Sequence, residues 1–235
     1  MKNSLFFAFV FSLLFNSCAP MKRGVVTFSD KENEIFTKES LKSFLRANPN
    51  PKIVLRVPKS ADNPTSEDSF SRTDVYNAIE KELLKAGFNV RDRGLFNEIL
   101  GKTATNDYSK IKELTDTDLI LELVSLKTDI EYHTNKYKSY KKNKNMKLSN
   151  GNITLYGALA DFKVILVNSN ELAGAYEFNY APCTDGCGFY INANGNIFKR
   201  RDGKFSEIPA YEIIETDLLI DFMKIATKEL IGNLK

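Results

Sequence analysis

The chain holds one histidine and three cysteines in 235 residues, and both shortages restrict its chemistry. The single imidazole, His133, follows Glu131 and Tyr132 beside a lysine-rich stretch, with no nucleophile motif near it. A lone histidine in that setting reads as incidental, because general-base catalysis needs a nucleophile and an orienting partner. There is no Gly-x-Ser-x-Gly elbow and no Walker loop, and Gly186-Cys187-Gly188 lacks the strand-to-helix context of a dinucleotide fingerprint. Two thiols and one distant histidine fall short of a zinc ligand set. No catalytic residue, metal or cofactor is therefore expected. Paired strands of about ten strictly alternating residues, which a membrane barrel requires, are also missing. Neither sign of charge dominates, with 33 Lys and Arg against 30 Asp and Glu.

What is present begins at the N-terminus. Lys2 precedes an apolar stretch from Leu5 to Phe15, and Ser17-Cys18 follow. A basic n-region, an apolar core of about eleven residues and a small residue before the cut describe an export signal, too short to stay as a membrane anchor. A cysteine at the cut suggests bacterial lipoprotein maturation, with Cys18 as the acylated first residue, although Phe15-Asn16 stand where Leu and Ala or Ser are commoner. Residues 1–17 are thus expected to be a signal peptide, which leaves 32 basic and 30 acidic residues in the mature chain. At that balance any charged surface must come from local clustering. The remaining cysteines, Cys183 and Cys187, flank a glycine-containing turn and suit a short-loop disulfide in an oxidising compartment. Zinc is the lesser alternative, and a redox-active pair would have the tighter Cys-x-x-Cys spacing.

Periodicity supplies the elements. Strands are predicted at Val25–Phe28, Ile53–Val57, 88–93 and 118–126, and helices at Lys38–Arg46, Ser71–Ala86, near Gly94 and at Tyr108–Leu114. Ser71 and Asp74 form a capping box, Gly87 ends that helix, and 58–70 reads as an exposed loop. The order strand, helix, strand predicts parallel pairing with a crossover. Residues 152–167 alternate along one apolar face from Tyr156 to Leu166 and should pair antiparallel with Leu172–Tyr180. Asn194-Gly195 marks a second tight turn, between 189–191 and 197–199. A last helix over Ala210–Leu230 would put Ile213, Ile214, Leu218, Phe222, Ile225, Ala226 and Leu230 on one stripe. The expected class is α/β (α+β): a single mixed β-sheet with helices packed on it, a long antiparallel hairpin and a C-terminal helix. Residues 18–30 would form the lipidated tether and first strand, and residues 31–235 one periplasmic domain.

Asn77 to Leu100 combines a helix, a Gly87-Phe88-Asn89-Val90 strand, Asp92-Arg93 and a short Leu95-x-x-x-Ile99-Leu100 helix. This element resembles one in the curli secretion channel lipoprotein family, with relatives among the lipoprotein activators of penicillin-binding proteins and the N-terminal domain of TolB. The strand at Thr117-Asp118-Leu119-Ile120-Leu121 and the 152–178 hairpin are similar to later parts of that family, so the likeness runs from Ile53 to Phe178. Here the segment after Asp118 lacks the family's usual glycine. The resemblance implies a periplasmic domain fold more than a channel activity.

Among candidate sites, Lys136, Lys138, Lys141, Lys142, Lys144 and Lys147, interleaved with Tyr137 and Tyr140, either bind an anionic ligand such as lipid headgroups, lipopolysaccharide or cell-wall polymer, or form a solvated loop or the tip of a hairpin from Leu126 to Asn152. Arg91-Asp92-Arg93 is read as a helix cap with ion pairs in preference to a binding site. Glu212, Glu215, Asp217 and Asp221 are the wet side of the last helix. Together these features describe a non-enzymatic lipoprotein of the bacterial outer membrane, facing the periplasm and anchored by lipid on Cys18. It would serve envelope assembly or secretion through protein partners, with homo-oligomerisation open and nucleic acid not expected. Lys22 and Arg23, where surface-exported lipoproteins of some bacteria carry acids, favour the periplasmic side. A secretion-channel subunit and a cell-wall or lipopolysaccharide-binding protein are the alternatives.

Overall fold

The structure is a computed structural model that describes residues 21–57, 72–103, 108–148, 151–192, 197–201, 204–207 and 214–234. The leader with Cys18, the 58–70 loop, the Ser71 cap, the Asn194-Gly195 turn and residues 210–213 with Glu212 lie outside the described residues. In chain order the elements are β1 (Lys22–Val26), β2 (Glu34–Thr37), α1 (Glu39–Ala47), β3 (Lys52–Arg56), α2 (Arg72–Lys85), β4 (Asn89–Val90), α3 (Arg93–Thr103) and α4 (Tyr108–Thr115). There follow β5 (Leu119–Thr134), β6 (Lys136–Ser139), β7 (Lys144–Lys147), β8 (Ile153–Leu166), β9 (Glu171–Tyr180), β10 (Cys187–Ile191), β11 (Ile197–Arg201), β12 (Lys204–Glu207) and α5 (Thr216–Leu234).

The α+β class is as expected, but the strands divide between two six-stranded sheets, β2-β9-β8-β5-β3-β4 and β12-β11-β10-β1-β6-β7. This corrects the expectation of a single sheet. A twisted open sheet rarely grows past about ten strands before it splits. Residues 31–235, taken from the sequence as one domain, contribute to two compact units. Of the described residues, the larger takes those within 28–132, 155–184 and 211–235, and the smaller those within 21–27, 133–154 and 185–210.

In the larger unit β3 pairs in parallel with both β4 and β5, the crossover arrangement the order of elements predicts, and β8 pairs antiparallel with β9. Ile53, Val54 and Leu55 of β3 are all fully buried, so this strand has apolar cover on both faces. One face joins Ile53 and Leu55 to Val75, Ile79 and Leu83 of α2, Leu41 of α1, Phe162 and Phe178 of the long hairpin, and α5. On the other face Val54, Ile120, Ile165 and Val167 pack under Phe96 of α3. Both covering helices have defined ends. Gly87 at φ 86° lets Phe88 N–H reach Leu83 O at 3.1 Å and Gly87 N–H reach Leu84 O at 3.0 Å, which closes α2. Asp92 caps α3 by accepting the Leu95 N–H at 2.6 Å, and that turn shortens the strand expected over 88–93 to Asn89–Val90.

Two further boundaries differ from expectation. Strand β5 continues past Leu126 to Thr134, because Lys127, Asp129, Glu131 and His133 point to water while Leu126, Thr128, Ile130 and Tyr132 are half-buried. The C-terminal helix starts at Thr216, since Ile214 N–H donates to Thr128 O at 2.8 Å outside the helix. Its buried face is Leu219, Phe222, Met223, Ala226, Leu230, Ile231 and Leu234, whereas Leu218 and Ile225, expected on the stripe, are exposed at 40% and 63%. At 3.6 residues per turn those two positions lie one step round the helix from Leu219 and Ala226, and the larger apolar face wins the core.

Candidate functional site

The basic segment is not a loop. Lys136 to Lys147 folds into the β6–β7 hairpin, with Asn143 in the left-handed conformation at φ 46° in its turn, and β6 adds to β1. Alternation along β6 buries Tyr137 and leaves Lys136 and Lys138 exposed. Cross-strand register sets Lys136 opposite Lys147 and Lys138 opposite Asn145, so Lys136, Lys138 and Lys147 share the outward face. Lys141 and Lys142 stand in the turn, and Lys144 pairs with Ser139 on the other face. The structure thus brings three of the six predicted lysines onto one face and sets the other three around the hairpin tip.

Beneath that face the smaller unit has an apolar side. Tyr137 and Phe189 meet edge-on, with ring centroids 5.5 Å apart, directly over Gly24. A Cβ on Gly24 would lie 2.5 Å from Tyr137 Cδ2, so only glycine lets β1 pass under the two rings. On the outward side the Arg23 guanidinium carbon sits 4.1 Å from the Tyr140 ring centre and 5.7 Å from that of Tyr190. Planar guanidinium stacks well on aromatic faces and keeps its edge donors available to an oxyanion. Lys22 and Arg23 were visible in the sequence as a basic pair. The place of Arg23 beside Tyr140 and Tyr190 comes from the pairing of β1 with both β6 and β10, whereas Lys22 is opposite Ile191.

Charge is unevenly divided. Residues 21–27, 133–154 and 185–210 carry 12 Lys and Arg but only 3 Asp and Glu, whereas the larger unit carries 20 and 27. Ion pairs between described residues, such as Lys31–Glu177 at 2.9 Å, Lys52–Asp116 at 2.6 Å and Arg91–Asp116 at 2.7 Å, fall in the larger unit. Hydrogen bonds from Lys31 and from Lys52 hold the Glu177 and Asp116 carboxyls below their ordinary pKa. Among the described residues none of the six hairpin lysines has such a carboxylate partner. Lys136 and Lys147 even face each other directly, an arrangement that costs stability in a sheet. Chemically the part of the outward face around Arg23 and the β6–β7 hairpin is a cationic surface with two tyrosines, its lysines without carboxylate partners among the described residues, and is suited to phosphate or carboxylate groups.

The other predicted sites resolve differently. Cys183 and Cys187 are joined in a disulfide, in a loop where Cys183 and Gly186 both have positive φ. Arg91 and Arg93 flank the Asp92 cap of α3. Arg91 pairs with Asp116, and Arg93 lies 3.8 Å from Glu80 and over the Tyr76 ring at 4.7 Å. Burial is the main cause that raises the Glu80 pKa. These residues are held by the Asp92 cap and by ion pairs. His133 is exposed, and among the described residues no group of three or more His, Cys, Asp or Glu could hold a metal ion. Asp217 and Asp221 lie on the solvent side of α5, with Lys224 on Asp221 at 2.8 Å. Among the described residues no helix is long and apolar enough to cross a membrane.

No protein-family model matches the sequence, and no curated protein matches it. Solved structures with similar backbones include a variant of the PelC dodecamer from Paraburkholderia phytofirmans, at 8% identity and TM-score 0.40, covering 87% of this chain and 99% of that one. A hypothetical protein from Chlamydia trachomatis matches at 10% identity and TM-score 0.38, covering 79% and 98%. The lipoprotein GNA1162 from Neisseria meningitidis matches at 10% identity and TM-score 0.32, covering 78% and 99%.

Proposed function

We propose that this chain is a lipid-anchored, non-enzymatic binding component of the bacterial envelope, held through Cys18 on the periplasmic side of the outer membrane. Its basic sheet face would engage an anionic ligand. One observation carries the proposal: Arg23, Lys136, Lys138 and Lys147 share a face without carboxylate partners among the described residues, while the larger unit pairs its charges internally. A purely solvated surface gains nothing from setting two lysines opposite each other, whereas an anion between them turns the repulsion into attraction. The apolar run from Leu5 to Phe15 before Cys18 supports export, and the element over Asn77 to Leu100 fits a periplasmic lipoprotein of the curli-channel and penicillin-binding-protein-activator kind.

Two measurements test it. A fatty-acid analogue should label the native chain and not Cys18→Ser, and equal labelling of both would sink the anchor. Inorganic polyphosphate should bind the mature chain and bind the triple variant Lys136→Gln, Lys138→Gln, Lys147→Gln at least tenfold more weakly, since each charged contact is worth roughly 1 kcal/mol. Unchanged affinity in the triple variant would refute the basic face as the site.

A further inference from the structure

We infer that the ligand of the basic face is the anionic phospholipid headgroup layer of the membrane that carries the protein's own anchor. The inference rests on the lipidated Cys18 proposed above and adds what the cationic face touches. Cys18 is four residues from Lys22, where β1 begins. At roughly 3.6 Å per extended residue the tether reaches at most about 14 Å, so β1 can never stand far from the bilayer surface.

β1 is an interior strand of its sheet, flanked by β10 and β6, with β7 beyond β6. Strands lie about 4.8 Å apart, so the hairpin lysines are about one and two strand spacings from the tethered strand. Arg23 follows Lys22, and on its own face stand Tyr140, Tyr190, Lys138, Lys136 and Lys147. A free polymer would need no such closeness to the anchor, and the short tether leaves little room to admit one. For headgroup phosphates the closeness is required, because screening confines attraction to within about 8–10 Å of the surface.

An acylated cysteine is sufficient for retention, so the basic face has a different effect. At about 1 kcal/mol per cation near an anionic surface, Arg23, Lys136, Lys138 and Lys147 together outweigh the thermal energy that would turn the unit on its tether. The face therefore fixes orientation and favours anionic lipids. Tyr140, 53% exposed at the edge of the cationic face, has the amphipathic ring that suits the headgroup level.

The test uses the full mature chain carrying Cys18→Ser, so that lipid does not mask the surface contact. Its sedimentation with vesicles of phosphatidylcholine alone is compared with vesicles that also contain phosphatidylglycerol. Expected is at least tenfold stronger retention on the anionic vesicles, weakened by added salt and lost in the Lys136→Gln, Lys138→Gln, Lys147→Gln background. It should survive Lys42→Gln, Lys81→Gln, Lys163→Gln in the larger unit. Because the chain has no tryptophan, Tyr140→Trp supplies a single reporter whose emission should shift to the blue on anionic vesicles only. Equal retention on both vesicle types, retention indifferent to salt, or an unshifted Tyr140→Trp emission would overturn the inference. Binding of polyphosphate without binding of anionic vesicles would overturn it too, while leaving the anionic-ligand function standing. Should the triple variant fail to fold, the salt dependence and the Tyr140→Trp emission of otherwise native chains decide the matter.

Discussion

Gly24 shows how much one side chain decides in the smaller unit. Tyr137 and Phe189 fill the volume a Cβ would need, so an added methyl must displace one of the two rings. Gly24→Ala should lower stability by about 1–3 kcal/mol, the cost of overpacking, read as a reduced midpoint in denaturant; an unchanged midpoint would show that the rings move freely. In the larger unit Asp161 faces Glu177 across the β8–β9 pair, and Glu34 continues the acidic row on β2. Burial first and the Glu177 charge second hold the Asp161 pKa above its usual 3.8, against weaker opposing effects of Lys127, Lys163 and Lys31. The native state then binds that proton more readily than the unfolded chain, so stability falls as pH rises from the ordinary aspartate value through the raised one. Asp161→Asn should therefore melt higher than the native chain at neutral pH, with the gap closing in acid. A lower melting point at neutral pH would contradict this account.

Among the elements, the most legible in sequence were those whose ends are chemically marked. α2 ends at Gly87 and α3 begins at Asp92, both readable from residue type. The β6–β7 hairpin was less legible, because a strand rich in lysine has the composition of a solvated loop and shows its period only through Tyr137 and Met146. α5 kept the expected stripe at Phe222, Ala226 and Leu230 and departed from it at Leu218 and Ile225 for a related reason. It is apolar on more than one face, and only packing chooses which face is buried. The Cys183–Cys187 loop closes five residues between β9 and β10. In the chain-entropy picture a loop of that length is worth about 2 kcal/mol. Reduction should lower the melting temperature of the native chain and leave a Cys183→Ser, Cys187→Ser double variant unaffected; equal sensitivity of the two would refute a structural role for the bond.

For the whole molecule the organising fact is the separation of charge between the two units, 12 basic to 3 acidic residues in one and 20 to 27 in the other. The near-neutral total hides it. If lipid holds the protein and the basic face only orients it, the lipidated chain with Lys136→Gln, Lys138→Gln and Lys147→Gln should still fractionate with membranes. Release of that variant into the soluble fraction would show that anchor and face act as one retention signal.

The amino-acid order by itself determined the apolar run before Cys18, the lysine cluster, the ends of α2 and α3 and the cysteine pair, since each depends on residues close in sequence. Only the tertiary structure decided that the strands form two sheets, that Arg23 stands between Tyr140 and Tyr190, and that the charges segregate. The physical reason is common to all three. β1, β6 and β10 are separated by more than a hundred residues or by some fifty, and what they hold in common is a hydrogen-bond register that no local period encodes.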